Sequence, residues 1–180
     1  SPIPQGEFER APHRVVHTGE ERTIKGASIQ VLWPDQSSSH FATLPGDGSA
    51  ENDKSIVTLI NLKGTSILVT GDIEPPVQEF LLRESRLPEI TIMKIPHHGS
   101  RYQDENFITR SKIAPISVGV GNSYGHPGRS TIQTLDQAKI RTYRTDQDGA
   151  IAIDWKKGKG QGYVFSVHCY RKAWWSIQWR

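Results

Sequence analysis

Ile90-Thr91-Ile92-Met93-Lys94-Ile95-Pro96-His97-His98-Gly99-Ser100 decides the fold. Its apolar half predicts a short strand over Ile90 to Ile95. Pro96 breaks the strand, and two histidines, a glycine and a serine follow at its C-terminal end, where layered α/β folds place their sites. On the N-terminal side, Pro75-Pro76 opens a predicted helix, since proline is tolerated in a first turn; Val77, Phe80, Leu81 and Leu82 form its apolar face as far as Pro88. Before it, Ser55 to Leu62 and Thr65 to Thr70 read as a hairpin turning at Lys63-Gly64 and stopping at Gly71-Asp72. Gly26 to Trp33 alternates apolar and polar residues and reads as a half-buried strand ended by Pro34. Asp35 to Asp53, rich in Ser, Gly, Asp and Asn, reads as a long surface loop, and residues 1–25 as a linker or irregular segment. On the C-terminal side, a helix is expected over Asn106 to Ile113, then a strand over Pro115 to Val120 that runs into Gly121-Asn122-Ser123-Tyr124-Gly125-His126-Pro127. A helix capped by Ser130 and running through Ala138 follows, and Ile140 to Arg144, Ala150 to Trp155 and Tyr163 to Cys169 read as strands. This alternation predicts one layered α/β domain over residues 26–180.

Composition narrows the chemistry. The 180 residues suffice for one domain with a core. Nowhere do eighteen apolar residues run together, and the Pro-rich N-terminus lacks the pattern of an export signal, so a soluble domain is expected. The single cysteine, Cys169, excludes an internal disulfide and a thiolate cluster, leaving His and carboxylate to hold any metal. A net charge of +3 is compatible with a polyanionic partner without demanding one. Much of the basic excess lies late, in Lys139, Arg141, Arg144, Lys156, Lys157, Lys159, Arg171, Lys172 and Arg180.

Three strand ends deliver metal-compatible groups: Asp72 after the hairpin, His97 and His98 after the next strand, and His126 after the strand beyond. Neighbouring strands would bring them together as one carboxylate and two or three imidazoles, a donor set that zinc and manganese both accept. Each has an ordinary explanation too. Gly-Asp after a strand is a common turn, and a histidine before a proline is a common turn residue. Two adjacent imidazoles in a loop, however, have little packing value. Asn52 and Asp53 open a strand near the same sheet edge, where their polar groups would cap the loop or support the ligands, and Ser100, Asn122 and Tyr124 adjoin the histidines as further supporting residues. His13, His17 and His40 lie in polar stretches and read as solvent-exposed; His168 and Cys169 read as packed or edge-strand residues. Trp174, Trp175 and Trp179 form an aromatic tail that suits core cover better than base stacking.

The strings Asn52-Asp53-Lys54-Ser55-Ile56-Val57, Leu68-Val69-Thr70-Gly71-Asp72-Ile73-Glu74, Lys94 to Ser100 and Asn122 to Pro127, in this order and spacing, resemble the C-terminal part of ComEC-type metallo-β-lactamase domains. Tyr143 to Ile151 is similar to that family's closing strand pair, so the resemblance runs from about Gly26 to Asp154. It implies a four-layer αββα sandwich and two metal ions, with Asp72 as the bridging carboxylate, His126 as the late histidine ligand, and His97 or His98 as a ligand or proton donor beside a substrate phosphate. It further implies a zinc- or manganese-dependent hydrolase of phosphodiesters, of nuclease type, acting on DNA that is single-stranded or being degraded, with Lys156, Lys157 and Lys159 as nucleic-acid contacts. Its place would be the outer face of the cell membrane, reached only through a transmembrane part outside this chain; a stand-alone enzyme would instead be cytoplasmic. The family's HxHxDH-type cluster does not occur in these residues, so the metal site is incomplete and the N-terminal half of the sandwich is lacking. Retention of Asp72, His97, His98 and His126 favours part of a longer polypeptide over a degenerate relative. An uncovered half-sandwich also allows a homodimer. Two alternatives remain: a stand-alone hydrolase of a small ester, thioester or nucleotide, and a catalytically degenerate DNA- or protein-binding module.

Overall fold

The computed structural model describes residues 14–35, 49–84, 87–158 and 163–170. Seven strands form one sheet in sequence order: β1 (Glu21–Ile24), β2 (Ala27–Trp33), β3 (Val57–Leu62), β4 (Thr65–Val69), β5 (Ile90–Met93), β6 (Ser111–Ile116) and β7 (Arg141–Arg144). From β1 to β4 neighbours are antiparallel, and from β4 to β7 they are parallel. The change follows from the connections: Lys25-Gly26 and Lys63-Gly64 are two-residue hairpin turns, whereas each parallel step needs a crossover long enough to return the chain to the same end. The crossovers carry helices α2 (Pro75–Arg83), α3 (Glu105–Ile108) and α4 (Arg129–Gln137). A further helical turn, α1 (Ser49–Asn52), precedes β3, and α5 (Thr145–Asp148) follows β7. The last two strands, β8 (Ala150–Lys157) and β9 (Tyr163–Tyr170), pair only with each other.

Alternation along each strand divides the sheet into two faces. Val57, Leu59, Leu68, Met93, Ala114 and Ile116 meet Val77, Leu81, Phe107, Ile108 and Leu135 of the helices in one buried core. The other face carries Ile29, Ile60, Ile67, Ile92 and Ile113, which are successive register partners across five strands. The β8–β9 hairpin meets this face, since Trp155 Nε1 donates to Thr65 Oγ1 at 2.9 Å and Thr65 shares the parity of Ile67. Helices, seven-stranded sheet and hairpin make three layers, in accord with the layered α/β expectation. Among the described residues no helix is long and apolar enough to cross a membrane.

Several boundaries differ from the sequence reading. The helix expected over Asn106 to Ile113 is the short α3, capped by Asp104 Oδ1 accepting from Phe107 N at 2.9 Å, and Ser111 to Ile113 already belong to β6. Periodicity could not separate the two, because Phe107, Ile108 and Ile113 are all buried apolar residues, in helix and strand alike. The strand expected to begin at Pro115 therefore starts four residues earlier. Ser130 is not a cap: Gly128 holds that position without a side-chain bond, and Ser130 lies inside the first turn of α4. The supposed loop before Asp53 contains α1. Glu21–Ile24, inside the segment read as linker, is an edge strand whose four residues are all exposed, so it has no apolar pattern to read. His13, His40, Lys159, Arg171, Lys172, Arg180 and the tryptophan tail lie outside the described residues.

Candidate functional site

At the C-terminal ends of β4, β5 and β6 four loops converge. Gly71 turns the chain out of β4 at φ +57, and an added Cβ there would lie 2.5 Å from Ser55 Cβ, so only glycine allows this approach. Ser55 Oγ then accepts from Asp72 N at 2.9 Å and holds the aspartate at the sheet edge. Lys94, from the end of β5, donates to Gly71 O at 2.7 Å and lies 3.3 Å from Asp72 Oδ1. Burial pushes the Lys94 ammonium below its usual range, and the Asp72 charge opposes that fall. The lysine thereby engages one oxygen of Asp72 and leaves Oδ2 facing His98 Nε2 at 3.8 Å.

His97 and His98 occupy consecutive left-handed conformations, at φ 43 and φ 54. A side chain in this region costs about 1–2 kcal/mol per residue, and strain of this kind persists where surrounding contacts over-determine it. Those contacts are visible. His97 N donates to Gly71 O at 3.2 Å, Gly128 N donates to Gly99 O at 2.7 Å, and Thr131 Oγ1 donates to Ser100 O at 2.6 Å. Gly99 packs on Pro127, and Gly128 packs on the Arg101 backbone, each too closely for a Cβ. The histidine loop and the Asn122-to-Pro127 loop are thus joined.

Both imidazoles are fixed through Nδ1. His98 Nδ1 lies 2.7 Å from Ser117 O, an acceptor only, so Nδ1 carries a proton, and in the neutral imidazole the lone pair is on Nε2, which faces Asp72. His97 Nδ1 lies 3.2 Å from Glu74 Oε1, which also accepts from Asn52 Nδ2 at 2.9 Å. Glu74 is 5% exposed and its own N–H donates to Asp53 Oδ1 at 2.9 Å. Burial raises the Asp53 pKa; the Glu74 N–H lowers it in part, and the Glu74 charge raises it further. His126 stands beyond, its ring centroid 5.2 Å from that of His97 and 6.1 Å from that of Tyr124. Asn122 brackets His126, accepting from its N at 3.0 Å and donating to its O at 2.7 Å. Burial, then His97, His98 and Arg101, push the His126 pKa down, against a smaller upward pull from Asp72.

The structure therefore gathers Asp72, His97, His98 and His126 at one sheet end, with Asn52, Asp53 and Asn122 bonded around them. Ser100 supports the loop backbone by accepting from Tyr102 N at 3.2 Å. Sequence reasoning missed two residues: Glu74, whose only signal was its place two residues after Asp72, and Lys94, a lysine closing an apolar strand. Lys156 and Lys157 are exposed at the far end of β8. That end neighbours the Lys63-Gly64 turn, where Lys63 Nζ lies 4.7 Å from the Tyr163 ring, about 20 Å along β4 from Asp72 at roughly 3.3 Å per residue. His17 sits in a turn beside Glu20, and His168 Nε2 lies 3.4 Å from Asp154 Oδ2 on the hairpin, away from these loops.

The donor chemistry suits a divalent ion. An imidazole whose Nδ1–H is held by a carbonyl or carboxylate, with Nε2 left bare, has the second-partner arrangement of metal-bound histidines. A bare imidazole nitrogen and a carboxylate oxygen 3.8 Å apart are two electron-rich groups close to the spacing of neighbouring ligands on one ion. The number of donors falls short: among the described residues no three His, Cys, Asp or Glu side chains close around a single point. These residues fit part of a metal site. Beside them a cleft of about 680 Å³ is lined by His97, Arg101, Tyr102, Tyr124, His126 and Arg129, among others.

No family model matches the chain. It is 31% identical over 156 residues to ComE operon protein 3 of Bacillus subtilis, an alignment covering 85% of this chain and 19% of that protein. Recombination protein 2 of Haemophilus influenzae is 28% identical over 108 residues, 58% of this chain and 14% of the relative. Competence protein ComA of Neisseria gonorrhoeae is 28% identical over 118 residues, 63% and 16% respectively. The chain spans a fifth or less of the length of these relatives.

Proposed function

Because this chain belongs with the ComEC-type competence proteins, we propose that it is part of a metallo-β-lactamase-like domain and contributes one half of a metal-dependent phosphodiester-hydrolysing centre acting on DNA. The observation that carries the proposal is the pair of left-handed histidines, each tied through Nδ1, beside Asp72. Two consecutive strained imidazoles do nothing for packing, and strain kept at a strand end points to use.

In this reading Asp72, His97, His98 and His126 are the residues that would hold zinc or manganese, completed by donors outside the described residues. The chemistry that such an ion would supply there is a water activated as nucleophile near neutral pH. Lys94 keeps one carboxylate oxygen of Asp72 engaged and so orients the other. Where His97 is not needed as a ligand, the contact of its Nδ1 with Glu74 orients the ring as a proton donor to a leaving oxygen in the cleft. Binding of DNA and a place at the cell membrane, through a part of the polypeptide beyond these residues, complete the proposal.

The test is metal content of the purified chain, together with manganese-dependent cleavage of single- and double-stranded DNA, beside the Asp72→Ala/His126→Ala variant. The expected result is bound metal and cleavage in the parent chain, both lost in the variant. Neither metal nor cleavage in the parent would overturn the hydrolase reading, and activity unchanged in the variant would remove Asp72 and His126 from the site.

A further inference from the structure

The cleft beside the histidines has a lining that metal binding does not use. Tyr124 is 84% exposed and Tyr102 is 44% exposed, yet both line the same cleft. Exposed aromatic rings in a concave site are poor candidates for solvation and good ones for a ligand with flat faces. Tyr124 is not free to turn at random: its ring lies nearly parallel to that of His126, at 15°. Tyr102 likewise has the Arg101 guanidinium 5.3 Å from its centroid. Arg101 and Arg129 line the same space, and no carboxylate of the described residues pairs with either. Glu74, the one acidic residue in the lining, is already engaged by Asn52 and His97. Among the described residues the cleft therefore offers two aromatic faces and two cations without a carboxylate partner. The loops that carry them are joined through Gly99, Gly128 and Thr131, so the spacing between the faces is built in.

We infer that Tyr124 and Tyr102 are base-stacking walls that make this cleft specific for an unpaired nucleic-acid strand, with Arg101 and Arg129 on its phosphates. The inference rests on the reading of the cleft as the substrate site. The physical reason for the specificity is access. In a duplex the faces of the bases are covered by their neighbours, whereas an unpaired strand can place a base on each ring, a contact worth about 1–3 kcal/mol per base. Every base has such a face, so the walls select strandedness and not sequence. The arginines add a salt-dependent attraction, with a slope of about 0.7 per phosphate contact on a single strand.

Fluorescence anisotropy in EDTA with a labelled fifteen-nucleotide oligothymidylate and a fifteen-base-pair duplex tests this on the whole chain without metal. Tyr124→Ala should weaken single-strand binding roughly tenfold and leave duplex binding unchanged, while Tyr124→Phe, which keeps the ring, restores it. Arg129→Gln should lower the salt slope of single-strand binding by roughly 0.7. Because Tyr124 is so exposed, loss of folding is not expected, and circular dichroism of the variant checks it. Equal losses for duplex and single strand, no loss in Tyr124→Ala, or no rescue by phenylalanine would each overturn the stacking walls. Cleavage lacking in the parent chain while these binding differences hold would defeat the hydrolase reading alone; cleavage present with binding indifferent to Tyr124 would defeat this one alone.

Discussion

Lys25-Gly26 and Lys63-Gly64 at one end of the sheet, and His97-His98 at the other, all place two consecutive residues at positive φ. The first two pairs are hairpin turns, where positive φ at both positions matches the right-handed twist of the strands they join. The conformation there serves the turn itself. His97 and His98 leave a parallel strand and close no hairpin, and neither is glycine. Their conformation is imposed by Gly71, Gly99 and Gly128 packed around them. The same backbone region is thus a convenience at one end of the molecule and a cost at the other.

Glycine substitution gives the largest test of this difference. Gly71→Ala drives a Cβ to 2.5 Å from Ser55 Cβ and to 2.8 Å from the Oγ that holds Asp72 N, so a loss of about 2–4 kcal/mol is expected in denaturant unfolding. Gly64→Ala meets open space and should cost only the left-handed penalty of about 1 kcal/mol. Equal losses would erase the contrast.

Relief of strain is a smaller but more discriminating test. His98→Gly and Lys25→Asn should each raise the melting temperature by a few degrees, roughly 1 kcal/mol or less, because glycine and asparagine tolerate left-handed backbone. Only His98→Gly should lower metal content. A His98→Gly variant no more stable than His98→Ala, which equally lacks the bond to Ser117 O, would show that the histidine conformation is not strained.

Least in size is a pH effect at Asp53. Its carboxyl is raised in the fold by burial and by the charge of Glu74, against the bond from Glu74 N, so proton binding favours the folded state. The carboxyl therefore carries no penalty at low pH, where it is protonated folded and unfolded, and weakens the fold as pH rises through its folded-state pKa. Asp53→Asn keeps an oxygen for Glu74 N and should raise the melting temperature by roughly 1–3 °C at about pH 7, with no difference near pH 3. A gain of the same size at both pH values would contradict that assignment.

The order of the elements was legible because β3, β4 and β5 are apolar runs with proline or glycine at their ends. The converging strand ends, and with them Asp72, His97, His98 and His126, followed from that order. What could not be read were contacts made at a distance. Asn52 and Glu74 are 22 residues apart and meet through one hydrogen bond. Lys94 looked like the end of a strand, and nothing local shows that its ammonium turns back to Gly71 and Asp72. Tyr102 follows the quoted histidine stretch, yet only the folded cleft places it with Tyr124.

Strand β4, paired antiparallel on one side and parallel on the other, also sets an order of assembly. Asp72 and Glu74 are secured by Ser55 and Asp53, partners within the same meander and about twenty residues away, whereas His97, His98 and His126 arrive only through successive crossovers. Because closing longer loops comes later on entropic grounds, a growing or refolding chain would set its carboxylates before its imidazoles. The acidic half of the site is a local product of one hairpin, and the basic half is the last thing the sheet delivers.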